Sequence, residues 1–94
     1  MMYEIIIPKS VVKEIKKLSK PVVEKIQDIL EEIAENPYVG VPLKGDLSAV
    51  RKLDIREQGV HYRIADTIQE ECVEVRVIWV GARENFYKEL KRRL

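Results

Sequence analysis

Between Val50 and Val80 the chain carries three strand-like runs, and no segment between them is long enough to build a helical crossover. The runs are Val50 to Ile55, Val60 to Asp66 and Cys72 to Val80, each mixing β-branched residues with alternating polar ones. Turn residues separate them at Glu57 to Gly59 and Thr67 to Glu71. Parallel neighbours need a connection of roughly a dozen residues or more, so these three strands are predicted to meander antiparallel. A sheet of this kind buries one face, and the first half of the chain has to supply the cover.

The first half reads as helical. Tyr3 to Ile7 is a short strand that Pro8, Lys9 and Ser10 break. From Val11 the apolar positions fall at Val11 or Val12, Ile15 and Leu18, a helical spacing with lysines on the other side. Ser19 stands as a cap for a second helix, with Pro21 in its first turn and an apolar stripe of Val22 or Val23, Ile26, Ile29 or Leu30, and Ile33. Asn36 and Pro37 end it. Tyr38 to Asp46 reads as a loop. The tail, Glu84 to Leu94, has Phe86 or Tyr87, Leu90 and Leu94 at helical spacing, with Lys91, Arg92 and Arg93 at the end where cations suit a helix C-terminus. The expected order is βααβββα, an α+β fold in which an N-terminal strand and a helix hairpin pack on an antiparallel sheet and a C-terminal helix follows.

Ninety-four residues allow one domain, residues 1–94, with a single modest core. Cys72 is the sole cysteine, which excludes an intrachain disulfide and fits a reducing, cytoplasmic setting. No His or Cys cluster has metal-ligand spacing, so neither metal nor cofactor is expected. The first thirty residues contain no stretch resembling a signal peptide and nothing approaches a membrane span, so the whole chain is expected to be the mature domain, away from membranes. Net charge is +1, too small to point to nucleic acid by itself.

The charges are distributed by type. All seven arginines lie after residue 50, whereas seven of the ten lysines lie before it. Arginine presents a rigid fork suited to phosphate, so the chemistry is expected in the second half. Period-two alternation puts Leu53, Ile55, Val60, Tyr62, Ile64, Val73, Val75, Val77 and Trp79 on the face under the helices. Lys52, Asp54, Arg56, His61, Arg63, Glu74 and Arg76 fall on the other. The ordinary reading of that second set is a solvated face with cross-strand ion pairs, and it suits Glu74 and Arg76 best. Lys52, Arg56, His61 and Arg63, with Arg83 at the exit of the last strand, form a cationic cluster of the kind a phosphate backbone needs.

If the ligand is RNA, attack by its own 2′-hydroxyl needs a base, positive charge at the phosphate and a proton for the leaving 5′-oxygen. His61 is the lone imidazole, which excludes a two-histidine mechanism within one chain. Tyr87, one helical turn beyond Arg83, reads either as a base or as a residue packing the last helix on the sheet. Arg51 is out of phase with the polar face and receives no role.

Several short segments together resemble the RelE/ParE superfamily of toxin–antitoxin toxins, and its RelE branch in particular. They are Leu43 to Leu47 with Lys44, Gly45 and Asp46; Tyr62, Arg63 and Ile64; Val80, Gly81, Ala82 and Arg83; and Phe86 with Tyr87. Ile15 to Leu18 and the helix-ending Glu35, Asn36 and Pro37 also fit. The resemblance implies the same helix-hairpin-on-sheet fold and endonucleolytic cleavage of mRNA in the ribosomal A site. By it, Arg63 would hold the scissile phosphate, Arg83 would stabilise the transition state or assist the leaving group, and Tyr87 would be the base. Lys44, Lys52, Arg56 and His61 would bind RNA, with His61 a further acid or base.

A RelB-like antitoxin, the ribosome and mRNA are the implied partners, and the toxin–antitoxin complex would bind operator DNA. The sequence departs from the RelE pattern at Asp54, where such proteins can carry lysine, and in its near-neutral charge. Two alternatives stand beside the endonuclease: a ParE-like, non-catalytic inhibitor of DNA gyrase, and a toxin-like binding module without activity.

Overall fold

In the computed structural model, which describes residues 2–93, the elements run β1 (Glu4–Ile6), α1 (Lys9–Lys16), α2 (Lys20–Glu35), β2 (Val41–Pro42), β3 (Val50–Glu57), β4 (Val60–Gln69), β5 (Glu74–Ala82) and α3 (Phe86–Arg93). Ser19 precedes α2 as expected, yet its side chain makes no capping hydrogen bond; Pro21 occupies the first turn, where a missing N–H is tolerated. Asn36 closes the helix and its Oδ1 accepts from the Tyr38 amide at 3.2 Å.

The sheet order is β1-β5-β4-β3-β2. The expected antiparallel meander of β3, β4 and β5 is present, and β1 joins the free edge of β5 in parallel, which makes the sheet mixed. Gln58 and Gly59, both at positive φ, form the two-residue turn that suits the twist of a tight hairpin. The stretch read as a loop from Tyr38 to Asp46 contains the two-residue edge strand β2, paired to β3 through Val41 with Lys52 and Pro42 with Arg51. Proline is tolerated there because an edge strand has donors to spare.

Helices α1 and α2 cover one face, where Val11, Val22 and Ile26 meet Ile55, Ile64, Val77 and Val80. A second core lies on the opposite face, where Trp79, Ala65 and Val50 meet Phe86 and Leu90 of α3 and Leu43 of the β2–β3 connection. Trp79 therefore lies across the sheet from its expected place. The cause is an irregularity between β4 and β5: Ala65 pairs with Trp79 but Asp66 pairs with Val77, so Ile78 has no opposite residue. One extra residue flips the side-chain alternation beyond it, leaving Val77 and Val80 under the hairpin and turning the indole to the other side. Val60, also expected in the core, is exposed at the hairpin tip. Leu94, placed on the stripe of the last helix, lies outside the described residues.

Arg51 acquires a role here. Its Nη2 donates to the carbonyls of Tyr38 at 3.1 Å and Gly40 at 2.7 Å, and its guanidinium stacks on the Tyr38 ring at 5.2 Å. It ties the segment after α2 to the sheet. Its cross-strand neighbour Asp66 is buried, and Oδ1 of that carboxylate has no hydrogen-bond partner among the described residues. Burial pushes the Asp66 carboxyl up to about 6 from an ordinary 3.8, against the opposing charge of Arg51.

A folded-state pKa above the unfolded one means that the native form holds the proton more tightly. Stability contributed by the protonated acid is thus full below about 4, falls as pH rises towards 6 and stays lower above it. Asp66→Asn is expected to raise stability at pH 7 by about 1–2 kcal/mol, less than the whole linkage term because a buried amide also needs partners. It should also flatten the fall between pH 4 and 6, as urea denaturation across that range would show.

Candidate functional site

The predicted cations lie on the α3 side of the sheet, around the β3–β4 hairpin and the exit of β5. Register sets their neighbours: Asp54 lies opposite Arg63, Arg56 opposite His61, and Arg63 opposite Gly81 on its other side. Gly81 has to be small because a Cβ there would come within 2.5 Å of the Trp79 ring. Arg83 begins a single 3-10 turn, Arg83–Asn85, that links β5 to α3. This turn delivers Phe86 into the core and leaves Tyr87 facing outward.

Arg63, expected to hold a phosphate, already holds a carboxylate. Its Nε donates to Oδ1 of Asp54 at 2.6 Å and its Nη2 to Oδ2 at 3.2 Å, a two-pronged pair. The Phe86 ring covers the guanidinium at 4.7 Å. Arg63 is only 6% exposed, whereas the Asp54 side chain is 41% exposed. The arginine is thus packed into the sheet face while the carboxylate stays accessible from solvent. Hydrogen bonding to Arg63 holds the Asp54 carboxyl below its ordinary value; partial burial opposes this, and the charges of Arg63, Lys52 and Arg83 reinforce it.

Two clefts are lined by other residues of the predicted set. One, of ≈ 350 Å³, is lined by Val41, Pro42, Leu43, Lys44, Leu47, Lys52 and Tyr87. The other, of ≈ 390 Å³, is lined by Gly59, Val60, His61, Ala82, Arg83 and Glu84. Lys52 from the first and Arg83 from the second both act on Asp54, so the carboxylate links them electrostatically. Tyr87 is 55% exposed and meets Phe86 edge-on, 4.9 Å between ring centroids.

Of the residues singled out from sequence, Lys44, Lys52 and Tyr87 share a cleft, and His61 shares one with Arg83. Arg56 is exposed beside His61 and lines neither. Glu74 and Arg76 pair with each other at 3.4 Å, as the ordinary reading had it. Arg92 pairs with Glu89 at 3.4 Å on the solvent side of α3. Phe86 was legible as one of two residues on a helical stripe and as part of the family resemblance. Its function as the platform over Arg63 depends on the flip of Trp79, which alternation alone does not reveal.

A family model for the ParE-like toxin of type II bacterial toxin–antitoxin systems matches residues 5–91. No curated protein matches the sequence. Among solved structures, a mutant of the E. coli toxin RelE in the free state superposes with a TM-score of 0.78 at 28% identity, covering 100% of both chains. The isolated E. coli RelE toxin gives 0.73 at 30% identity over 98% of this chain and 99% of that one. A chain of the intact E. coli RelBE toxin–antitoxin complex gives 0.72 at 29% identity over 84% and 94%. The shared fold is the α+β arrangement described above, with its helix hairpin on the sheet and its last helix on the other face. With the family match spanning all but the ends, the chain belongs to the ParE-like toxins of type II bacterial toxin–antitoxin systems, within the RelE/ParE superfamily.

Proposed function

We propose that this toxin is an endoribonuclease of the RelE type, cleaving mRNA in the ribosomal A site and so stopping translation. The supporting observation is that the exposed Tyr87 shares one cleft with Lys44 and Lys52, while Lys52 and Arg83 both bear on the Asp54 carboxylate. Lysines and arginines placed this way attract a phosphate backbone, and a phenol beside them reaches a ribose hydroxyl.

In this reading Tyr87, reacting as its phenolate, takes the proton from the 2′-hydroxyl as that oxygen attacks phosphorus, and becomes the neutral phenol. The P–O5′ bond breaks, leaving a 2′,3′-cyclic phosphate and a 5′-hydroxyl. Arg83 stabilises the charge that grows on the phosphate oxygens, and His61, in the same cleft as Arg83, gives the proton to the leaving 5′-oxygen. Lys44, Lys52 and Arg56 hold the flanking backbone, and Arg63 holds the reacting phosphate from beneath once freed from Asp54. No step requires a metal. A RelB-like antitoxin is the partner that keeps the toxin silent, and the cytoplasm, where ribosomes translate, is its place of action.

Induction of the toxin followed by mapping of mRNA 5′ ends is expected to show cuts in phase with codons. Intact mRNA with stalled DNA replication would instead favour the gyrase-inhibitor reading, which the ParE-like family match and the near-neutral charge keep in view. Tyr87→Phe keeps the ring on Phe86 and removes only the hydroxyl. It is expected to slow cleavage on programmed ribosomes about 100-fold, the lower end for a lost general base, with an unchanged melting temperature. Unaltered kinetics would make Tyr87 a contact residue.

A further inference from the structure

The Asp54–Arg63 pair combines features that a simple surface ion pair lacks. The arginine is buried, fixed by the Phe86 ring and bound through two nitrogens, while the carboxylate that fills its fork is open to solvent. Lys52 and Arg83 add their charges at the same point. A planar fork with further cations beside it is a phosphate site in geometry, and a carboxylate is the side chain that imitates two phosphate oxygens. Asp54 is poorly suited to act as a base, since both of its oxygens accept from Arg63 and the surrounding cations favour its charged, weakly basic form.

We propose that Asp54 is a resident anion that fills the phosphate position of the free toxin, so that a substrate phosphate reaches Arg63 only by displacing it. This deepens the endonuclease reading by naming what the site binds, a phosphodiester in competition with an internal carboxylate. It also says why a chain of this architecture tolerates an acid at its cationic centre. The carboxylate keeps a buried guanidinium paired while no substrate is present, and it lowers affinity for every phosphate that does not bring enough other contacts to replace it.

The test uses inorganic phosphate as the probe, so that it stands apart from any assumption about RNA. In the full chain, Asp54→Asn is expected to bind phosphate at least tenfold more tightly than the wild type, read by calorimetry and by the rise of Tm with phosphate concentration. Asp54→Asn with Arg63→Gln should lose that gain. Glu57→Gln changes net charge equally but lies on the hairpin side, near Lys25, and should stay within twofold of the wild type.

A second arm measures a non-cleavable 2′-deoxy oligonucleotide. The Asp54→Asn protein should bind it more tightly, with a salt slope steeper by about 0.7, one additional phosphate contact on a single strand. Phosphate gain without oligonucleotide binding by either protein would uphold the resident anion and restrict the endonuclease reading to RNA presented by the ribosome, whereas loss of codon-phased cuts on induction is what would remove that reading. Equal or weaker phosphate binding by Asp54→Asn would overturn the inference, whatever the oligonucleotide does. Asp54→Ser provides a second neutral replacement. If neither variant folds, Asp54 is a structural partner of Arg63 and the inference is likewise overturned.

Discussion

Phe86→Ala is expected to lower the unfolding free energy by about 3–5 kcal/mol, the range for emptying a buried aromatic site. In a domain whose total stability is of order 5–15 kcal/mol, that is enough to leave a measurable unfolded fraction at 37 °C. The size follows from what the ring does. Phe86 is fully buried, meets Trp79 at 5.6 Å between centroids, and roofs the guanidinium of Arg63. It is also the first residue of α3, so it anchors the helix that closes the second core. Removing it takes apolar contact from Trp79 and lets water reach a buried ion pair at the same time. Urea denaturation gives the loss directly. A midpoint within experimental error of the wild type would mean that α3 holds the sheet through Leu90 alone, and that the aromatic roof is unimportant to the fold.

This second core also shows where sequence reasoning stopped short. The helix hairpin, the three-strand meander and the last helix were legible because each rests on local periodicity, and the turn at Glu57 to Gly59 because Gly59 takes a positive φ without strain. The pairing of β1 with β5 was not, since a three-residue strand carries no signal about which edge it will join. Nor was the bulge at Ile78: strict alternation sent Trp79 to the hairpin side and left the other face without a core. Once Trp79 and Phe86 are recognised as neighbours, the burial of Arg63 follows.

Candidate site residues were legible as types and only partly as positions. Lys44, Lys52 and Tyr87 meet in space although 43 residues separate the first from the last, and the resemblance, not the spacing, had joined them. Asp54 was visible only as a departure from the RelE pattern. The structure supplies its partner: the carboxylate accepts from Arg63 through both oxygens and occupies its fork. Arg51 and Asp66 went unread because a polar pair on the covered face contradicts the alternation used to find that face.

Arg83→Ala is expected to reduce cleavage about 10²–10³-fold, the range for deleting a donor aimed at charge that develops in the transition state, and to abolish growth arrest. The fold should not notice. Arg83 is exposed, and its side chain makes no hydrogen bond or ion pair among the described residues, so its removal should change stability by no more than about 0.5 kcal/mol. The contrast with Arg63 makes the result informative. Arg63→Ala would leave Asp54 without its partner and Phe86 above a void, so a loss of activity there mixes chemistry with folding. At Arg83 the two separate.

Kinetics on programmed ribosomes can then assign the loss. If Arg83 acts chiefly in the transition state, kcat and kcat/KM fall together; if it only recruits RNA, KM rises and kcat returns at saturating substrate. Raised salt sharpens the distinction, because a phosphate contact used for binding weakens with ionic strength while a fall in kcat at saturation does not. A soluble Arg83→Ala protein with full toxicity would remove this residue from the site and, with it, the one cation that the β5 exit places beside both His61 and Asp54.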